Sequence, residues 1–135
     1  MFRYSICDPL KEVPVEMGAI EKNQMLDVFD RFPWDDMLAR MKSVKESEVH
    51  FSPSLEFENK QTKRGISVSI VENDTGREFY IFYKRPKTVS KLFGLVNHFD
   101  QEFVSDRTGQ TREDARAAVV ALMNDDSATL ENRWG

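Results

Sequence analysis

The sequence predicts an α+β fold, an antiparallel β-meander of about three to five strands packed against N-terminal helices and a C-terminal helix. Three observations lead there. Residues 66–71 (Ile-Ser-Val-Ser-Ile-Val) and 78–83 (Glu-Phe-Tyr-Ile-Phe-Tyr) are β-branched and aromatic runs flanking Glu72-Asn-Asp-Thr-Gly-Arg77, a turn-forming segment. Trp34, Met37, Leu38, Met41 and Val44 recur at helical spacing. Thr111, with Asp114 three residues on, opens an apolar stripe of Ala115, Ala118, Val119, Leu122 and Met123. Helices and strands are segregated along the chain, which argues against an alternating parallel α/β fold.

Each element follows from local chemistry. Ile20, Met25, Leu26 and Phe29 predict a first helix over 21–31, broken near Phe32 because Pro33 removes a donor and clashes with the preceding turn. Pro33 suits the first position of a second helix, 33–44, with Asp35 and Asp36 favoured by the dipole of its first turn. Between Val49 and Asn59 apolar and polar residues alternate, but Pro53 makes this an edge strand, a bent strand or two short ones.

The hairpin has an assignable register. A type I turn centred on Asp74 and Thr75, with Gly76 in a left-handed conformation, sets Asn73 opposite a Gly76/Arg77 bulge. Val71 then faces Phe79, Ile70 faces Tyr80 and Val68 faces Phe82. Ile66, Val68, Ile70, Tyr80 and Phe82 make a core face. Ser67, Ser69, Val71, Phe79, Ile81 and Tyr83 make a mixed one, which Glu56 and Glu58 join. Arg85-Pro86-Lys87 ends the meander, Val89, Leu92, Phe93 and Val96 suggest a short helix, and Glu102 to Ser105 a short strand. A helix over 111–124 follows, and the tail from Leu130 to Gly135 is polar apart from Leu130 and Trp134.

Composition bounds the function. A chain of 135 residues, 40% hydrophobic and 31% charged, reads as one domain spanning 1–135. A net charge of −4 disfavours nucleic acid, whose phosphates demand Lys and Arg. The basic cluster from Lys60 to Arg64 reads as a solvated turn. No apolar stretch approaches the roughly 20 residues that span a bilayer, so no membrane partner is expected. The N-terminal Met-Phe-Arg-Tyr-Ser-Ile-Cys-Asp-Pro lacks the basic start and apolar segment of a signal peptide. Cys7, the single cysteine, fits a reducing compartment, and the expectation is cytoplasmic.

A search for chemistry finds no phosphate-binding glycine loop, no paired-cysteine motif and only two histidines, His50 and His98. No spacing supports Cys7 with either histidine as nucleophile and base. His98 and Asp100, with Asp106, Asp125 and Asp126, read as solvated polar groups rather than metal ligands. Glu56 and Glu58 share a strand face, where carboxylates can do acid–base work but also protect a sheet edge from association. No catalytic residue, metal or cofactor is assigned.

The aromatic strand ending in Tyr83-Lys-Arg-Pro-Lys87, the Lys91-Leu-Phe-Gly-Leu95 segment, and the late helix from Thr111 with Asn124-Asp125 after it resemble small acidic bacterial proteins of the immunity-protein type. Such proteins bind and block a toxin, so the resemblance implies binding rather than catalysis and carries over no residue. The expectation is a non-enzymatic interaction protein whose acidic surface meets a basic protein partner; self-association as a homodimer is compatible with it. The candidate binding residues are Tyr83, Phe79, Ile81, Glu56 and Glu58. Tyr83 is the proposed aromatic anchor, although it also suits a place beneath a helix with its hydroxyl at the surface. The alternative is a domain that binds an apolar or amphipathic small ligand between sheet and helices.

Overall fold

The computed structural model describes residues 1–91 and 96–135, and the side chains of those outside 89–98. Strands β1 (Phe2–Cys7) and β2 (Val15–Ile20) form an N-terminal hairpin. Helices α1 (Met25–Arg31) and α2 (Trp34–Lys42) follow, then β3 (Ser54–Asn59), β4 (Gly65–Asn73), β5 (Gly76–Lys91) and β6 (Val96–Gln110). Helices α3 (Arg112–Met123) and α4 (Ser127–Trp134) complete the chain. The strands form one antiparallel sheet in the order β2-β1-β3-β4-β5-β6. This is the expected α+β class, with six strands instead of three to five.

The break at Pro33 and the cap at Thr111 stand where predicted, but the first two helices are shorter than 21–31 and 33–44, and Pro33 is the N-cap of α2 rather than its first helical residue. Pro33 separates α1 from α2, and Thr111 and Asp114 close a capping box on α3. The Thr111 hydroxyl accepts from the Asp114 amide at 3.0 Å, and the Asp114 carboxylate accepts from the Thr111 amide at 2.9 Å. The tail corrects an expectation. Asp126 caps α4 by accepting from the Thr129 amide, and the i, i+4 pair Leu130 and Trp134 is fully buried.

β1 was not foreseen, although Phe2, Tyr4 and Ile6 alternate with Arg3, Ser5 and Cys7 at the strand period of two. It inserts between β2 and β3, pairing Ser5 with Glu56 and Cys7 with Ser54. β3 is therefore an interior strand, and Glu56 and Glu58 guard no edge. Pro53 lies just before β3 rather than inside it. The meander also runs past Arg85-Pro86-Lys87. β5 continues to Lys91, with a register shift between Arg85 and Lys87 where proline supplies no ladder donor. The partner of β4 is spent at Gly65–Lys84, so beyond that point β5 needs only β6. The short helix suggested for 89–96 is replaced by the β5–β6 pair Lys91–Val96, while residues 92–95 lie outside the described residues.

The hairpin partners are as predicted, but their register is shifted by one. Asp74 and Thr75 make a two-residue connection with Gly76 at φ +127°, and Asn73 pairs directly with Gly76. The Asn73 side-chain oxygen Oδ1 accepts from both the amide and the hydroxyl of Thr75. Ile70 then faces Phe79, Val68 faces Ile81 and Ile66 faces Tyr83. A one-residue slip exchanges the faces of a strand, so Phe79, Ile81 and Tyr83 join Ile66, Val68 and Ile70 in the core, and Tyr80 and Phe82 turn outward.

All four described helices pack on that one face. The Trp34 ring meets Phe32 and Phe79 edge-on at 4.3 and 5.2 Å. Arg85, only 2% exposed, holds α4 to the sheet. Its guanidinium donates to both Glu131 oxygens at 2.9 and 3.2 Å, and lies 4.5 Å from the Tyr83 ring and 4.7 Å from that of Phe103. It also donates to Ser105, whose hydroxyl donates to the Trp134 carbonyl. No described helix is long and apolar enough to cross a membrane.

Candidate functional site

The opposite face of the sheet carries the candidate site, because no helix covers it. Its shape follows from side-chain size. Where β4 lies between β3 and β5 its outward residues are small, Gly65, Ser67 and Ser69, with Val71 and Asn73 beyond the end of β3. The three small residues are flanked by Ser54, Glu56 and Glu58 of β3 on one side, and by Tyr80, Phe82 and Lys84 of β5 on the other. A strip of small residues between larger ones makes a trough along β4, its walls two strand spacings or about 9–10 Å apart. The whole concavity measures about 610 Å³ and reaches Arg3, Ser5 and Cys7 of β1, Glu16 of β2, His50 and Phe51 before β3, and Val104 of β6.

The two ends of the trough are tied differently. At one end Lys84 donates to Glu58 at 2.9 Å, crossing above Gly65, while Arg3 donates to the other Glu58 oxygen at 2.8 Å. A Cβ at Gly65 would press on the Phe57 carbonyl oxygen at 3.0 Å, while the Lys84 side chain, 3.6 Å away, would be at ordinary contact distance. Burial raises the Glu58 pKa, but the hydrogen bonds and charges of Lys84 and Arg3 outweigh it and hold the carboxyl below its ordinary value. At the other end the buried hydroxyls of Ser54 and Ser69 are 2.6 Å apart and satisfy each other.

Glu56, at mid-trough, is different. It is exposed, and among the described residues its side chain accepts hydrogen bonds only from the Ser5 hydroxyl at 3.4 Å and the Cys7 thiol at 3.5 Å. Among the described residues no lysine or arginine nitrogen lies within 4.0 Å of it. Along one row across the sheet stand Glu16, Ser5, Glu56, Ser67, Phe82 and Asp106, so three carboxylates flank the aromatic ring. Tyr80 and Phe82 are both half-buried.

Of the candidate binding residues, Glu56 and Glu58 lie on this open face as placed. The corrected register puts Phe79, Ile81 and Tyr83 on the helix-covered face, at 5%, 0% and 0% exposure. Tyr83 is buried with its hydroxyl, which has no hydrogen-bond partner, and burial raises its pKa. Tyr80 and Phe82, read as packing residues, form the β5 wall of the trough, and Tyr4, Phe51 and Phe57 also border the concavity. Ser67 and Ser69 were placed beside Glu56 and Glu58, and they are there.

Cys7 and His50 both line the concavity. The Cys7 thiol is buried, and burial together with the Glu56 charge pushes its pKa up to about 12, so it stays protonated and weakly nucleophilic at neutral pH. Among the described residues no group of three or more His, Cys, Asp or Glu is placed to hold a metal ion. The side chain of His98 lies outside the described residues. The chain matches no known family model, no characterised protein and no solved structure.

Proposed function

We propose that the chain is a binding protein that receives a segment of a basic protein partner in the open-face trough. The observation that carries this reading is the asymmetry of the sheet. One face is sealed by helices, while the other holds a concavity with an aromatic wall and carboxylates whose charge the chain does not fully neutralise. Of the charged residues in the three strand rows, Arg3 and Lys84 converge on Glu58 and Arg3 also reaches Glu16 at 4.0 Å, leaving Glu56 and Asp106 to set the sign of the surface. A concave surface of one sign concentrates partners of the other sign and steers their approach. Tyr80 and Phe82 supply the aromatic area on which binding energy concentrates.

A small amphipathic ligand in the same trough is the second reading, favoured by a volume within the range of about 300–1,000 Å³ typical of ligand sites. The space between sheet and helices, where such a ligand was first sought, is filled by Phe29, Trp34, Phe79, Ile81 and Tyr83. The test is Ser67→Trp, which fills the trough floor without touching the core. The partner is captured from the native host, purified, and titrated against wild type and the folded variant by calorimetry. Loss of binding in the variant supports the trough; undiminished binding refutes it.

A further inference from the structure

We infer that the trough recognises an arginine side chain of its partner, with the guanidinium on Glu56 and its plane against Phe82; this rests on the binding reading above. Two residues that look equivalent in sequence, Glu56 and Glu58, are not equivalent in the fold. Glu58 is only 13% exposed at its side chain, and it already holds two cations. A further cation there would have to displace Lys84 or Arg3. Glu56 holds none, and its two neutral neighbours are at the long limit of hydrogen bonding. It is the only member of the pair able to accept a new ion pair.

The choice of arginine over lysine follows from what stands opposite. Glu56 and Phe82 stand in one cross-strand row on either side of Ser67, about two strand spacings apart, with the Glu56 carboxylate turned toward Ser5 and Cys7 and, among the described residues, its remaining acceptor capacity free. A slot with a carboxylate on one wall and a ring on the other fits a flat cation that pairs by its edge and stacks by its face. An ammonium would meet the carboxylate equally well and gain less from the ring. The same protein holds such an arrangement on its other face. There Arg85 pairs edge-on with Glu131, lies against Tyr83 and Phe103, and donates to Ser105. The trough offers a carboxylate, a ring and a serine hydroxyl, and among the described residues no arginine pairs with that carboxylate, Arg3 of the same concavity being held by Glu58 and Glu16.

The probe is the peptide acetyl-Gly-Arg-Gly-amide, with the citrulline peptide as a neutral shape match, titrated against the isotope-labelled protein by NMR. Saturable shifts of the Ser5, Ser67 and Phe82 amides are expected with the arginine peptide and not with citrulline. Glu56→Gln should weaken binding about fivefold, as for a well-placed, partly exposed ion pair. Phe82→Leu should weaken arginine binding more than binding of the matching lysine peptide. Glu58→Gln should change affinity less than about twofold, because its charge is already shared. Equal binding of citrulline, or a loss confined to Glu58→Gln, overturns the assignment. Absence of saturation when Ser67→Trp still blocks the captured partner also overturns it, while leaving the trough reading standing. A captured partner that binds Ser67→Trp normally removes the trough reading itself.

Discussion

Ile81→Ala and Phe82→Ala, neighbours in sequence, test the register of the central hairpin. Ile81 faces Val68 across the ladder, both are 0% exposed, and helices cover them. Truncating Ile81 removes buried methyl and methylene groups and leaves a cavity that neighbouring strands cannot collapse, at a cost of about 3 kcal/mol within the usual range of about 2–5. Phe82 is larger, but it stands half-buried beside the trough, where water fills any space left behind. The cavity contribution vanishes, and half of the usual transfer value of a Phe remains, about 1 kcal/mol. The smaller residue should therefore be the more damaging to lose. Urea unfolding followed by the fluorescence of Trp34 and Trp134, both buried, gives the two midpoints, and an unchanged slope ensures that they report stability alone. For a domain with about 5–15 kcal/mol in hand the difference is easily resolved. Phe82→Ala costing as much as Ile81→Ala would show that Tyr80 and Phe82 are the core residues, and the open trough would be gone with them.

Glu131→Gln leaves the buried Arg85 guanidinium without its counter-charge; because Glu131 itself is half-exposed, the loss should be about 2 kcal/mol, read by the same unfolding assay and by faster amide exchange in α4. The Glu58 carboxyl is depressed below its ordinary value of 4.5, so its stabilising contribution is complete above that pH and fades as pH falls through the lower folded value. The stability gap between wild type and Glu58→Gln should accordingly be constant at neutral pH and close in acid, as measured by urea midpoints across the range; a gap that widens in acid contradicts the pairing. Cys7, held protonated and buried, should react with a disulfide reagent at pH 8 at least about 100-fold more slowly in the native protein than in denaturant.

Several parts of this fold were legible because their signals are local. Pro33 breaks a helix wherever it stands, and Thr111 with Asp114 caps one whatever packs above. The hairpin register was not fixed by its turn: glycine after Asp74-Thr75 is the signature of a bulged connection, yet Asn73 pairs directly with Gly76. Charge did not settle it either. Lys84 and Arg85 put a cation on each face, and only the tertiary pairing of Arg85 with Glu131 shows which of the two is buried. The same ambiguity displaced the aromatic anchor from Phe82 to Tyr83. The distinction between Glu56 and Glu58 was equally out of reach, because Arg3, which neutralises Glu58, arrives on a strand 55 residues away.

That separation bears on how the protein folds. β3, β4 and β5 are chained by short turns and can zip together in sequence, whereas β1 must close a loop holding α1 and α2 before Ser5 meets Glu56, 51 residues on. Long-range pairing of this kind is entropically late. The N-terminal hairpin should thus be the last part of the sheet to dock. Until it does, β3 exposes a bare edge, Glu58 lacks one of its two cations, and the trough is missing its Arg3, Ser5 and Cys7 side. The trough and the completion of folding are thereby coupled: a chain whose first strand is clipped, or lent to a neighbouring molecule, keeps most of its core but not the trough.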